Sequence, residues 1–125
     1  MADTPSRQVV LIVEDEALVR MTAVDMIEEA GFAILEATNA DKAMLLLEAR
    51  LNITVVFTDI EMPGSMNGLR LAEAVRGRWP PIKIIATSGD YVVRGGDLPS
   101  GGLFLPKPYS STQISSALRD LTAQA

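Results

Sequence analysis

The sequence predicts an α/β domain built on a parallel sheet that is doubly wound, with helices on both faces. Three observations lead there. Short and almost wholly apolar runs, Val9 to Val13 and Ile53 to Phe57 above all, suit strands covered on both sides. Stretches with apolar residues at helical spacing separate such runs along the chain. The 125 residues suffice for one core and are too few for two.

The elements follow in order. After a polar tail over 1–7, Val9 to Val13 is the first strand and ends in Glu14-Asp15-Glu16. From Ala17 to Ala30, Leu18, Met21, Val24 or Met26, and Ile27 recur at helical spacing, and Gly31 supplies a C-terminal cap. Phe32 to Ala37 returns as a strand, Thr38 and Asn39 can cap a second helix, and Ala40, Ala43, Met44 and Leu47 form its apolar stripe. The third strand, Ile53 to Thr58, delivers Asp59 to its carboxyl end, after which Pro63 and Gly64 turn the chain away. A helix marked by Leu69, Ala72, Val75 and Trp79 stops at Pro80-Pro81, and Ile82 to Ala86 makes a fourth strand that leads into Thr87-Ser88-Gly89. The stretch Tyr91 to Gly102 holds Gly95, Gly96, Pro99 and Gly101, a density that opposes a regular helix, so the fourth helix is expected to be short or irregular. Leu103 to Leu105 is a fifth strand, and Ile114, Ala117, Leu118 and Leu121 mark a final helix, with Ser110 and Gln113 at capping-box spacing. Five strands joined by parallel crossovers give the flavodoxin-like order 2-1-3-4-5.

Composition narrows the chemistry. With no Cys and no His, thiol nucleophiles, thiolate metal sites and imidazole bases are excluded, leaving carboxylates, hydroxyls and Lys. A formal net charge of −5 with scattered Lys and Arg argues against direct nucleic-acid binding. No apolar run approaches the ~20 residues that cross a bilayer, so no membrane insertion is expected and a cytoplasmic location is the default. The whole chain, 1–125, reads as a single domain; the initial Met1 and the closing helix favour a module that stands alone over a piece of a longer regulator.

In the order 2-1-3-4-5 the first and third strands are neighbours, so Glu14, Asp15 and Asp59 meet at the switch point of the sheet, where ligands of open α/β folds bind. Like charges so close need a proton or a cation between them. An all-oxygen site open to water suits Mg²⁺, which attracts phosphoryl groups, and Thr87 and Lys107 reach the same edge from the fourth and fifth strands. A carboxylate nucleophile beside a metal and an ammonium is a workable arrangement for phosphoryl transfer.

These residues, Glu14-Asp15, Asp59-Ile60-Glu61-Met62-Pro63 with Asn67-Gly68, Thr87, and Lys107-Pro108, resemble the receiver domain of two-component response regulators over nearly the whole chain. The resemblance implies Asp59 as phosphoacceptor, and Mg²⁺ held by Glu14, Asp15, Asp59 and the main-chain carbonyl of Glu61. It further implies Thr87 against the phosphoryl group, Lys107 paired with it, and Thr87 and Phe104 as switch residues. A cis bond at Lys107–Pro108, a sensor histidine kinase or histidine phosphotransfer protein as donor, and an output partner of altered affinity also follow from it. Such a module is no enzyme beyond its own phosphorylation and dephosphorylation. Taken singly, Asp59 and Thr87 read as turn residues, Lys107 as a solvated charge, Glu14 to Glu16 as a first helical turn and Phe104 as core. Their joint placement at four strand ends is what overturns those readings.

Two departures from the family pattern stand out: the loop Pro63 to Gly68 is one residue longer than is common, and the interval from Thr87 to Lys107 is short and rich in Gly. The first can reshape the mouth of the site, and the second bears on output through the fourth helix. The competing reading is a Mg²⁺-dependent phosphatase or phosphotransferase with Asp59 as nucleophile, which would ordinarily need a cap over the substrate or a second acid at position 61, where this chain has Glu and little room for a cap. A receiver-like protein that only binds a partner is a third, weakened by the complete acidic, Thr and Lys set.

Overall fold

A computed structural model describes residues 8–90, 94 and 96–123. Five parallel strands, β1 (Val9–Val13), β2 (Ala33–Ala37), β3 (Ile53–Asp59), β4 (Lys83–Ser88) and β5 (Leu103–Pro106), lie in the order β2-β1-β3-β4-β5. This is the order read from the sequence. Four helices connect or follow them: α1 (Ala17–Glu29), α2 (Ala40–Ala49), α3 (Gly68–Arg78) and α4 (Ser111–Thr122).

The strand alternation divides the core in two. Val9, Leu11, Val13, Val56 and Ile84 face α2 and α3, whereas Val10, Ile12, Val55, Phe57 and Ile85 face α1 and α4. Every residue of β1 is buried, as a strand covered on both faces requires. The edge strands β2 and β5 are only half-buried over most of their length.

Local signals explain most boundaries. Asn39 and Asn67 accept hydrogen bonds from Lys42 N and Arg70 N at the starts of α2 and α3, and Ser110 with Gln113 forms the reciprocal capping box of α4. Gly31 closes α1 at φ 102°, a conformation that costs a glycine little.

Two expectations are corrected. The inward face of α1 is not the Leu18–Met21 stripe: Ala23 and Ile27 are buried, with Val24 and Met26 packed beside them, while Leu18 and Met21 are 78% and 58% exposed. Apolar residues occupy so many positions of this helix that spacing alone selects no face. In β4, Thr87 and Ser88 belong to the strand itself, because Thr87 pairs in register with Asp59 on one side and Leu105 on the other. Between β4 and β5 no helix occurs among the described residues; Tyr91, Val92, Val93 and Gly95, on which part of that expectation rested, lie outside them.

Candidate functional site

Each site residue sits where a strand ends. Glu14 follows β1 and is buried; its amide donates to the Ala37 carbonyl at the end of β2, and Glu16 N donates to its Oε2 at 3.2 Å. Asp59 closes β3 and is 6% exposed. Thr87, adjacent on β4, is buried, and its carbonyl accepts from Ile60 N at 2.8 Å. Lys107, just past β5 and before a cis peptide bond to Pro108, places its Nζ 3.0 Å from Glu14 Oε1 and 3.4 Å from Asp59 Oδ1. One carboxylate oxygen each of Glu14, Asp15 and Asp59 lies within 4.8 Å of the others. The cluster opens into a cleft of about 400 Å³ bordered by Asp15, Asp59, Glu61, Asp90 and Lys107.

Backbone geometry brings Asp59 there. The chain reverses after Ile60 and returns so closely that a Cβ at Gly68 would collide with the Asp59 carbonyl oxygen, and Gly68 N donates to Ile60 O at 2.8 Å. Glycine at 68 is therefore a steric requirement of the loop that carries the acid. The longer loop leaves this contact intact. Gly64 takes φ 115°, Ser65 Oγ donates to Asp41 Oδ1 of α2 at 2.6 Å, and Met66 packs on the core, so the added length is drawn towards α2.

The electrostatics record an uncompensated site. Burial raises the Asp59 carboxyl above its ordinary value, the Lys107 charge and the main chain of Glu61 opposing and Asp15 adding. Burial likewise raises Glu14 against the Lys107 and Glu16 hydrogen bonds, with the Asp59 charge adding to the rise. For Lys107, burial pulls downward, but the bond to Glu14 and the charges of Asp59 and Glu14 outweigh it and hold the ammonium charged. One ammonium thus serves two acids, with the Asp15 carboxylate beside them. Asp59 Oδ1 is buried without a hydrogen bond, its contact to Lys107 being an ion pair out of hydrogen-bond alignment. An orphaned anionic oxygen beside two further carboxylates is a donor set that fits Mg²⁺.

The remaining residues sort less evenly. Phe104 is half-buried on β5 and pairs in register with Ala86, beside Thr87. The Glu61 side chain borders the cleft but stands outside the cluster of three carboxylates, and its Oε1 accepts from Ser88 Oγ at 2.7 Å. Sequence reasoning missed Tyr109, whose ring stands edge-on to Phe57 at 5.6 Å and walls an apolar hollow of about 410 Å³ behind Lys107 with Val19, Met26 and Pro108. No carboxylate lines that hollow, in contrast to the acidic cleft. Arg20 was also missed, because a lone Arg on a helix carries no signal of its own, and Ser88, read only as one of the polar residues after the fourth strand, is the partner of Glu61.

Comparison with known proteins shows the family of the chain. A family model for the response regulator receiver domain matches residues 10–119. The sensor kinase CckA of Brucella abortus is 32% identical over 123 residues, 95% of this chain but 13% of that protein, and the transcriptional regulatory protein PdtaR of Mycobacterium tuberculosis is 32% identical over 121 residues, 94% of this chain and 58% of its own length. The chain therefore spans a minor part of the first relative and little over half of the second. Among solved structures, a receiver protein from Sinorhizobium medicae superposes with a TM-score of 0.88 at 24% identity over 97% of this chain and 98% of its own, a likeness of fold. The receiver domain of the hybrid histidine kinase CckA gives 0.76 at 27% identity over 90% and 97%.

Proposed function

Since the chain belongs to the response regulator receiver domain family, we propose that it is a phosphoacceptor module in which Asp59 takes a phosphoryl group from a histidine of a sensor kinase or phosphotransfer protein and thereby changes affinity for an output partner. The observation that carries this reading is the Asp59 carboxylate, which borders the acidic cleft, has one oxygen within 4.8 Å of those of Glu14 and Asp15, and has its Oδ1 buried without a hydrogen bond 3.4 Å from Lys107 Nζ. A carboxylate oxygen of Asp59 forms the new P–O bond as the donor's P–N bond breaks, and the leaving imidazole keeps the electron pair. Mg²⁺, held by Glu14, Asp15, Asp59 and the Glu61 carbonyl, would supply charge neutralisation to the phosphoryl oxygens. Lys107 holds its proton throughout and is placed to pair with a phosphoryl oxygen. Thr87 offers a hydroxyl beside Asp59, and Phe104, in register with Ala86 on the neighbouring strand, is the residue that would respond to Thr87. Among the described residues no helix is long and apolar enough to cross a membrane; the reading places the module in the cytoplasm with its kinase.

Intact-mass measurement after incubation with Mg²⁺ and acetyl phosphate tests the assignment. One phosphoryl group should add to the native chain and none to Asp59→Asn. Equal labelling of the variant would show that another group is the acceptor, and repeated turnover of a small phosphoester would favour the phosphatase reading.

A further inference from the structure

We propose that Arg20 is a positioning residue for the cation site, fixing the turn that presents Asp15. The Arg20 side chain, only 17% exposed, lies under the β1–α1 turn, where Nη1 donates to the Glu14 carbonyl at 2.9 Å and Nε pairs with Glu36 Oε1 of β2 at 3.1 Å. Because the peptide unit is planar, a bond to the Glu14 carbonyl also holds the amide nitrogen and Cα of the next residue, Asp15, and so the point from which its side chain projects. Asp15 needs such a constraint. Glu14 is held through its carboxylate by Lys107 and Glu16 and through its amide by Ala37. Among the described residues, no hydrogen bond or ion pair holds the exposed Asp15 carboxylate. It nevertheless lies within 4.8 Å of two acids that repel it. Local backbone geometry keeps it there, and Arg20 is the side chain that sets that geometry.

The inference rests on the reading of the acidic cluster as a Mg²⁺ site, and the sign of one measurement separates it from simpler roles. A cation near the cluster disfavours Mg²⁺, so if Arg20 acted through charge alone, Arg20→Met would bind Mg²⁺ more tightly. If it served only to tie β1 to β2, the melting temperature would fall and the affinity would not move. Positioning predicts weaker binding by about tenfold, the range seen when groups that orient metal ligands are lost. The test is calorimetric titration of Mg²⁺ into the full chain, as wild type, Arg20→Met and Asp15→Asn, with thermal unfolding measured on each without metal. Phosphorylation by acetyl phosphate should then need more Mg²⁺ in Arg20→Met yet approach the wild-type rate at saturation. Should Arg20→Met not fold, Arg20→Lys replaces it: one nitrogen must then stand for two, Nη1 on the Glu14 carbonyl and Nε on Glu36, without the planar fork that holds them apart, and weaker Mg²⁺ binding at unchanged charge is again expected. Unchanged or tighter binding in a folded variant overturns the role of Arg20 while loss of affinity in Asp15→Asn leaves the site intact; a wild type that binds no Mg²⁺ overturns both.

Discussion

At the scale of single residues, the site concentrates acid where water is scarce, and this gives stability a sign with pH. Glu14 and Asp59 are both raised, chiefly by burial, so between their raised values and the ordinary 4.5 and 3.8 the folded chain binds more protons than the unfolded one. Stability without metal should therefore rise as pH falls from neutrality through the raised values, and level off below the ordinary ones. Lys107, raised above 10.5, is charged in both states across this window and contributes slope only in alkali. Melting curves at pH 7, 6 and 5 check this: Mg²⁺ should flatten the rise by stabilising the neutral-pH form, and Asp59→Asn should remove part of it. A melting temperature that falls steadily from pH 7 to 5 would contradict the balance of charges described. The carboxylates of this cluster were legible as a set because each directly follows or closes an apolar run. Arg20 and Tyr109 were not, since their contacts join positions far apart in sequence, Arg20 to Glu36 and Tyr109 to Phe57.

At the scale of elements, the β3–α3 connection shows how sequence constrains the site through sterics. Asn67 caps α3 while Gly68 lets its first turn press against the Asp59 carbonyl. Gly68→Ala must push those backbones apart, with a cost of about 2 kcal/mol or more and a displaced acceptor, whereas Asn67→Ala removes only a cap at about 1 kcal/mol. Denaturant unfolding ranks the two, and the phosphorylation rate should drop in the first far more than in the second. Similar destabilisation and equal rates would mean that the close approach is not what places Asp59. The same scale shows where pattern reading works. In α4 apolar residues confined to one face identified Ile114, Ala117 and Leu118 as buried, and Ser110 with Gln113 announced its start. In α1 the abundance of apolar residues left several faces equally plausible, and packing chose the one bearing the small Ala23 and the large Ile27.

At the scale of the whole molecule, the sheet is covered unequally. Two helices lie on each face, but the passage from β4 to β5 contributes none among the described residues, and the core beside β4 is closed there in part by Leu98. The turns around it are local: Asp97 N donates to Arg94 O, and Gly102 N to Pro99 O. Local bonds near the surface open without disturbing the sheet, so the amides of Asp97 and Gly102 should exchange on the order of 100-fold or more faster than those of Ile84 to Ala86, which need global unfolding. Leu98→Ala should quicken them further and cost about 1–2 kcal/mol, less than a fully buried leucine because part of Leu98 already meets water. The sequence density of glycine opposes a regular helix there, but that Leu98 packs on the core was not legible, since packing depends on contacts between distant parts of the chain. This placement also bears on signalling. Phe104 pairs with Ala86, next to Thr87 and one strand from Asp59, and β5 is reached directly from this crossover, so on the proposed function a phosphoryl group that drew in Thr87 would act on the strand this crossover enters. Exchange across Asp97 to Gly102 should slow on phosphorylation in wild type and not in Thr87→Ala; identical exchange in both states would place the output on another face.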